Sequence, residues 1–112
     1  MKPARLRPRA RDDRREAVRY YRQNASVDVA RRFVGAIKSD LGTLQTHPSI
    51  GSPRIGAEVG IEGLRAWDVS GFAVVLLYFE REDHLDVVRI LGQREDIATV
   101  LQAEPKSGRM NL

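Results

Sequence analysis

The chain has 112 residues, no cysteine and a formal charge of +4, from 19 Lys+Arg against 15 Asp+Glu. That length suits one domain with a single core, and 42% apolar with 30% charged residues argues against a disordered chain. A disulfide framework, a thiol nucleophile and a Cys-based zinc site are excluded, and the longest apolar run, Phe72–Phe79, is roughly a third of a membrane span.

Residues 4–10 alternate apolar (Ala4, Leu6, Pro8, Ala10) with basic (Arg5, Arg7, Arg9), which predicts a short edge strand, since Pro8 cannot donate to a ladder. From Asp12 to about Asn24 the pattern becomes helical, with Ala17, Val18, Tyr20 and Tyr21 on one side of a charged segment. Asn24-Ala25-Ser26 breaks it. Ser26 or Asn24 then caps a second helix, with Asp28 in its first turn to complement the dipole. Ala30, Phe33, Val34, Ile37, Leu41 and Leu44 recur there at three- and four-residue steps, the clearest helical stripe in the sequence. The two helices should form a hairpin whose shared apolar seam rests on a sheet.

Two prolines and a glycine between His47 and Pro53 read as a loop, and Gly56, Gly60 and Gly63 extend that reading to about Glu62. A meander comes next. Leu64–Val69 alternates as a first strand and Ser70-Gly71 turns the chain. Phe72–Phe79 reads as a central strand buried on both faces, Arg81–Asp83 as the next turn, and Leu85–Leu91 as the last strand, ending at Gly92. Asp96, Ile97, Val100 and Leu101 predict a short closing helix, and residues 105–112 a polar, frayed tail. The expectation is an α+β, two-layer fold in one domain over residues 1–104, with the hairpin on one sheet face and the other face partly open to a partner.

The charge is unevenly placed. Residues 1–32 hold eleven basic and four acidic groups, a net +7, and the other 80 residues a net −3. All but one of those eleven are arginines, which suit planar, bidentate contact with carboxylate or phosphate. An acidic protein or a polyanion fits them, as does a solvated helix face with internal ion pairs. Catalytic signals are weaker. His47 in a proline-flanked loop and His84 in a charged turn fit no triad spacing. The turn carboxylates Glu80, Glu82 and Asp83 read as solvated, the glycines form no phosphate loop, and no metal or cofactor is expected. Trp67 beside Arg65 is either core packing or a contact platform.

Several segments in order carry a resemblance: Leu41-Gly-Thr-Leu44, His47-Pro48-Ser-Ile-Gly51-Ser-Pro-Arg54, Gly63-Leu-Arg65, Val74–Tyr78, and Val87-Val88-Arg89-Ile90-Leu91 with Arg94 and Asp96. Together with the paired Tyr20-Tyr21, this pattern resembles the ParE branch of the RelE/ParE superfamily of bacterial type II toxins, over residues 4 to 101. RelE-like relatives cut ribosome-bound mRNA with basic residues on the first meander strand, an arginine soon after the turn glycine, and a C-terminal arginine and tyrosine. Here Leu64, Ala66 and Asp68 flank the lone Arg65, Ala73 stands two after Gly71, and the tyrosine position falls near Val100, although Arg94 survives. The resemblance therefore implies a plasmid-stabilising toxin that binds DNA gyrase and is not itself an enzyme. It further implies a ParD-like antitoxin whose acidic segment folds onto the toxin, and a cytoplasmic location without membrane or sequence-specific nucleic-acid binding. Arg65, Trp67, Arg89 and Arg94 on the meander, with Arg15, Arg19 and Arg22 on the first helix, are the candidate partner contacts. The alternatives are a RelE-like mRNA endonuclease and an inactive antitoxin-binding relative.

Overall fold

The computed structural model describes residues 1–103, so the expected polar tail 105–112 lies outside them. Strand β1 (Ala4–Leu6) leads into helices α1 (Pro8–Asn24) and α2 (Val27–Thr46), then a short α3 (Arg54–Val59). Strands β2 (Leu64–Asp68), β3 (Val74–Glu80) and β4 (Leu85–Gly92) form the meander, and α4 (Ile97–Gln102) comes last. The sheet order is β1-β4-β3-β2, with β1 parallel to β4 and the other pairs antiparallel. No helix among the described residues is long and apolar enough to cross a membrane.

The first strand is shorter than the alternation predicts. Arg7 is the last extended residue, its N–H donating to the Val87 carbonyl at 3.0 Å, and Pro8 already opens α1. A proline at the first helical position gives up a donor that would lack a partner there, and its fixed φ suits the helix. Ala10, read as a strand residue, is fully buried on α1. Ser26 caps α2 as expected, its hydroxyl accepting from the Val29 N–H at 3.0 Å, whereas Asn24 bonds back to the Tyr20 carbonyl.

The stripe of α2 and the inner side of α1 meet one face of the sheet. Ala10, Phe33, Ile37 and Leu44 pack there with Val74, Leu76, Tyr78, Leu85, Val87 and Ile90. Phe72 precedes β3 rather than opening it, because its ring closes a cluster with Tyr21 and Phe33 at 5.2 Å each. The second face has its own cover. Within the expected loop, Pro53 and a left-handed Gly60 (φ 74°) bound α3, whose Ile55 and Val59 pack with Ile97 and Val100 of α4 on Leu64, Val75, Leu77, Phe79, Val88 and Leu91. Gly56 lets α3 approach: a Cβ there would meet the Leu64 carbonyl at 2.6 Å.

Strand β4 carries a bulge. Leu77 pairs with Arg89 but Tyr78 pairs with Val87, so Val88 and Arg89 share one place along β3. Val88 joins the second core, and Arg89 reaches Asp13 of α1.

Candidate partner-binding surfaces

Two grooves flank α1. The first lies between α1 and α2, with a volume of about 640 Å³. Its floor is Val18, Val34, Ile37 and Leu41, and its rim is Arg14, Arg15, Arg19, Arg22 and Lys38. No carboxylate is among those lining residues. The groove continues along the hairpin past Ala30 to Val27 and Arg31, and Val27 and Val34 are 49% and 45% exposed. Apolar side chains left open at a helix seam, with cations along both walls, fit an amphipathic acidic segment.

The sequence candidates Arg15, Arg19 and Arg22 therefore stand together on one wall. Arg15 also contacts the exposed Asp12 at 3.1 Å. Arg14 and Lys38 complete the rim and were not singled out from the sequence. Their signal was position: Arg14 lies four residues before Val18, and Lys38 is next to Ile37 of the helical stripe.

The second groove, about 720 Å³, runs along the other flank of α1. It is lined by Tyr20 and Glu16 from α1, Ala73 before β3, and Arg89, Arg94 and Glu95 around the end of β4, with Asp13 below. Tyr20 is 58% exposed. Arg94 is exposed and makes no hydrogen bond or ion pair among the described residues. Arg89 is held inside the fold instead. Its Nε and Nη2 donate to the two Asp13 oxygens at 2.7 and 2.9 Å, and the Ile90 N–H donates to the same carboxylate. Three carboxylates thus face two guanidiniums, one of them neutralised by Asp13.

The remaining candidates sit elsewhere, so the four meander residues do not form one patch. Arg65 turns to the loop after α2, its Nη1 donating to the Gly51 carbonyl at 2.7 Å. Trp67, two residues on, packs against the first core with its indole N–H buried and unpartnered. Tyr78, paired with Arg65 across the strands, completes this corner. Its hydroxyl accepts from the Gly51 N–H at 3.0 Å and donates to the Pro48 carbonyl at 2.8 Å. Burial raises the Tyr78 phenol above its ordinary pKa, against the smaller lowering effects of the Gly51 bond and Arg65. His84 is occupied by Asp83 at 2.6 Å, and no group of acidic and histidine side chains among the described residues could hold a metal.

A family model described as the ParE toxin of a type II toxin-antitoxin system, parDE, matches residues 4–97, which include every residue lining both grooves. The chain belongs to the ParE toxin family. Among solved structures it is similar to a chain of the chromosomal ParDE TA system from P. aeruginosa, with 16% identity and a TM-score of 0.68. That alignment covers 82% of this chain and 96% of the other, and establishes the shared fold. A search of curated proteins finds no match. The Pro48 carbonyl, the Gly51 backbone and Arg65 are the groups that Tyr78 and β2 hold together.

Proposed function

We propose that this ParE-family protein is a toxin that acts by binding DNA gyrase, and that a ParD-like antitoxin neutralises it by laying an acidic, amphipathic segment along the α1–α2 groove. The observation that carries the antitoxin half is the groove itself: an open apolar floor between walls of five cations. Such a segment gains by burying its apolar face, pairs its carboxylates with Arg15, Arg19, Arg22 and Lys38, and folds as it binds.

The charge balance of the second groove supports binding over cleavage. Phosphoryl transfer needs a surplus of positive charge where the transition state develops. The groove supplies Asp13, Glu16 and Glu95 against Arg89 and Arg94, and Ala73 contributes no charge at the β3 entrance. Tyr20 and Arg94 are instead the side-chain types that anchor protein interfaces, and both are exposed. In a direct test, the purified protein inhibits gyrase supercoiling of plasmid DNA and leaves ribosome-bound mRNA intact. Codon-specific cuts in translated mRNA would overturn this reading in favour of an endonuclease.

A further inference from the structure

The groove does not use all the arginine on this side of the molecule. Arg11, Arg15, Arg19 and Arg22 succeed one another on α1 at steps of four, four and three residues, so they fall within roughly a quarter of its circumference. At about 1.5 Å per residue the line is about 16 Å long. All four side chains are exposed, and Arg31 and Lys38 are exposed on α2 beside them. The side chains of Arg11, Arg19 and Arg22 make no hydrogen bond or ion pair among the described residues. The nearby acids Asp12 and Asp28 lie against Arg15 and Arg31, at 3.1 and 3.8 Å.

We infer that this face binds the phosphate backbone of duplex DNA without regard to base sequence. A rigid helix presenting arginines in a straight line matches a rigid polyanion. Phosphates advance by about 3.4 Å along each strand, so the line faces about five of them. Guanidinium groups contact phosphate oxygens in a bidentate fashion that lysine does not reproduce. A peptide seated on the apolar floor meets Arg15, Arg19 and Arg22 but not Arg11, which lies outside the groove lining. The net +7 of residues 1–32 against −3 elsewhere turns this face toward any polyanion the protein approaches. Because DNA and an acidic segment share three arginines, each excludes the other. Duplex binding here rests on charge and spacing and does not require that gyrase be the target.

The test is fluorescence anisotropy of the purified protein with a short labelled duplex of arbitrary sequence, across a salt series. Four phosphate contacts give a slope of log affinity against log salt of about −3.6. Arg15/Arg19/Arg22→Ala shrinks that slope by about 2.7, the same three changed to Lys keep most of it, and Arg54→Ala on α3 leaves it unchanged. Thermal melts confirm that each variant is folded, and should the alanine variant fail to fold, Arg15/Arg19/Arg22→Gln takes its place with the same expected loss of slope. No binding at low salt, or an unchanged slope in the folded alanine variant, overturns the inference. Tighter binding of polyglutamate than of duplex at matched charge does so too, and assigns the whole face to acidic polypeptide.

Discussion

The Tyr78 hydroxyl joins parts of the chain that lie 27 and 30 residues away, accepting from Gly51 and donating to Pro48. Its neighbourhood is tight: a Cβ on Gly51 would overlap the phenol oxygen. Tyr78→Phe leaves the buried Gly51 N–H without this partner and should cost about 1–3 kcal/mol in chemical denaturation. Gly51→Ala should destabilise the same corner, because the phenol must shift within a fully buried core. At Trp67 the geometry favours the core reading. Trp67→Ala should lower stability toward the lower end of about 3–5 kcal/mol, read as a drop in Tm. A variant that keeps its Tm and loses toxicity would make Trp67 a contact instead. At this scale the sequence was legible where partners are local: the Ser26 cap closes on a residue three positions on. The Tyr78 corner was visible only as spaced motif letters, since nothing in a linear pattern brings residues 48, 51 and 78 together.

Elements were legible where a period runs long enough to average out exceptions. The stripe of α2 and the apolar run of β3 satisfied that. Residues 4–10 did not, because alternation over seven residues ignores that Pro8 suits a helix start as well as a strand edge. The six residues of α3 were hidden among glycines, and with them part of the cover on the second sheet face. Nor could the sequence show how β1 is fastened. The Arg7 Nε and Nη2 each donate to a separate Asp86 oxygen at 2.9 Å, and Arg81 joins them over the Phe79 ring at 4.3 Å. Burial alone would raise the Asp86 carboxyl, but the hydrogen bonds from Arg7 and Arg81 outweigh it and hold it below the ordinary carboxylate range. A carboxyl depressed in the folded state stabilises fully above its unfolded pKa of about 3.9 and loses that contribution as pH falls through the folded value. Asp86→Asn should therefore cost up to about 3 kcal/mol near neutral pH, by removing the charge that Arg7 and Arg81 share, and flatten the acid limb of the stability profile. Denaturant midpoints measured from neutral to strongly acid pH check both effects.

Across the whole molecule, the charge difference between the first 32 residues and the rest resolves into the two flanks of α1. The side toward α2 is lined by cations, and the side toward β4 holds three carboxylates against two guanidiniums. The arithmetic of the sequence located the excess, but only the folded geometry separates the arginines of the α1–α2 groove from Arg89, which is held by Asp13 in the second groove. For an acidic antitoxin segment, Arg15/Arg19/Arg22→Glu should slow association by an order of magnitude or more, with weaker salt dependence, since steering is a rate effect carried by such exposed charges. Stopped-flow association rates against salt measure this. An unchanged rate would show that the partner docks away from the hairpin.

The bulge in β4 makes this strand one residue longer than the place it fills. Removing Arg89 would leave Val88 opposite Leu77 and keep Ile90 and Leu91 on their present faces, so the deletion need not scramble either core. It would, however, unfasten α1 at Asp13 and redraw the floor of the second groove. Removing Val88 instead would drive an arginine into the apolar layer beneath α3 and α4. Two neighbouring single-codon deletions thus have opposite characters: one alters a surface on an intact scaffold, and the other attacks the scaffold.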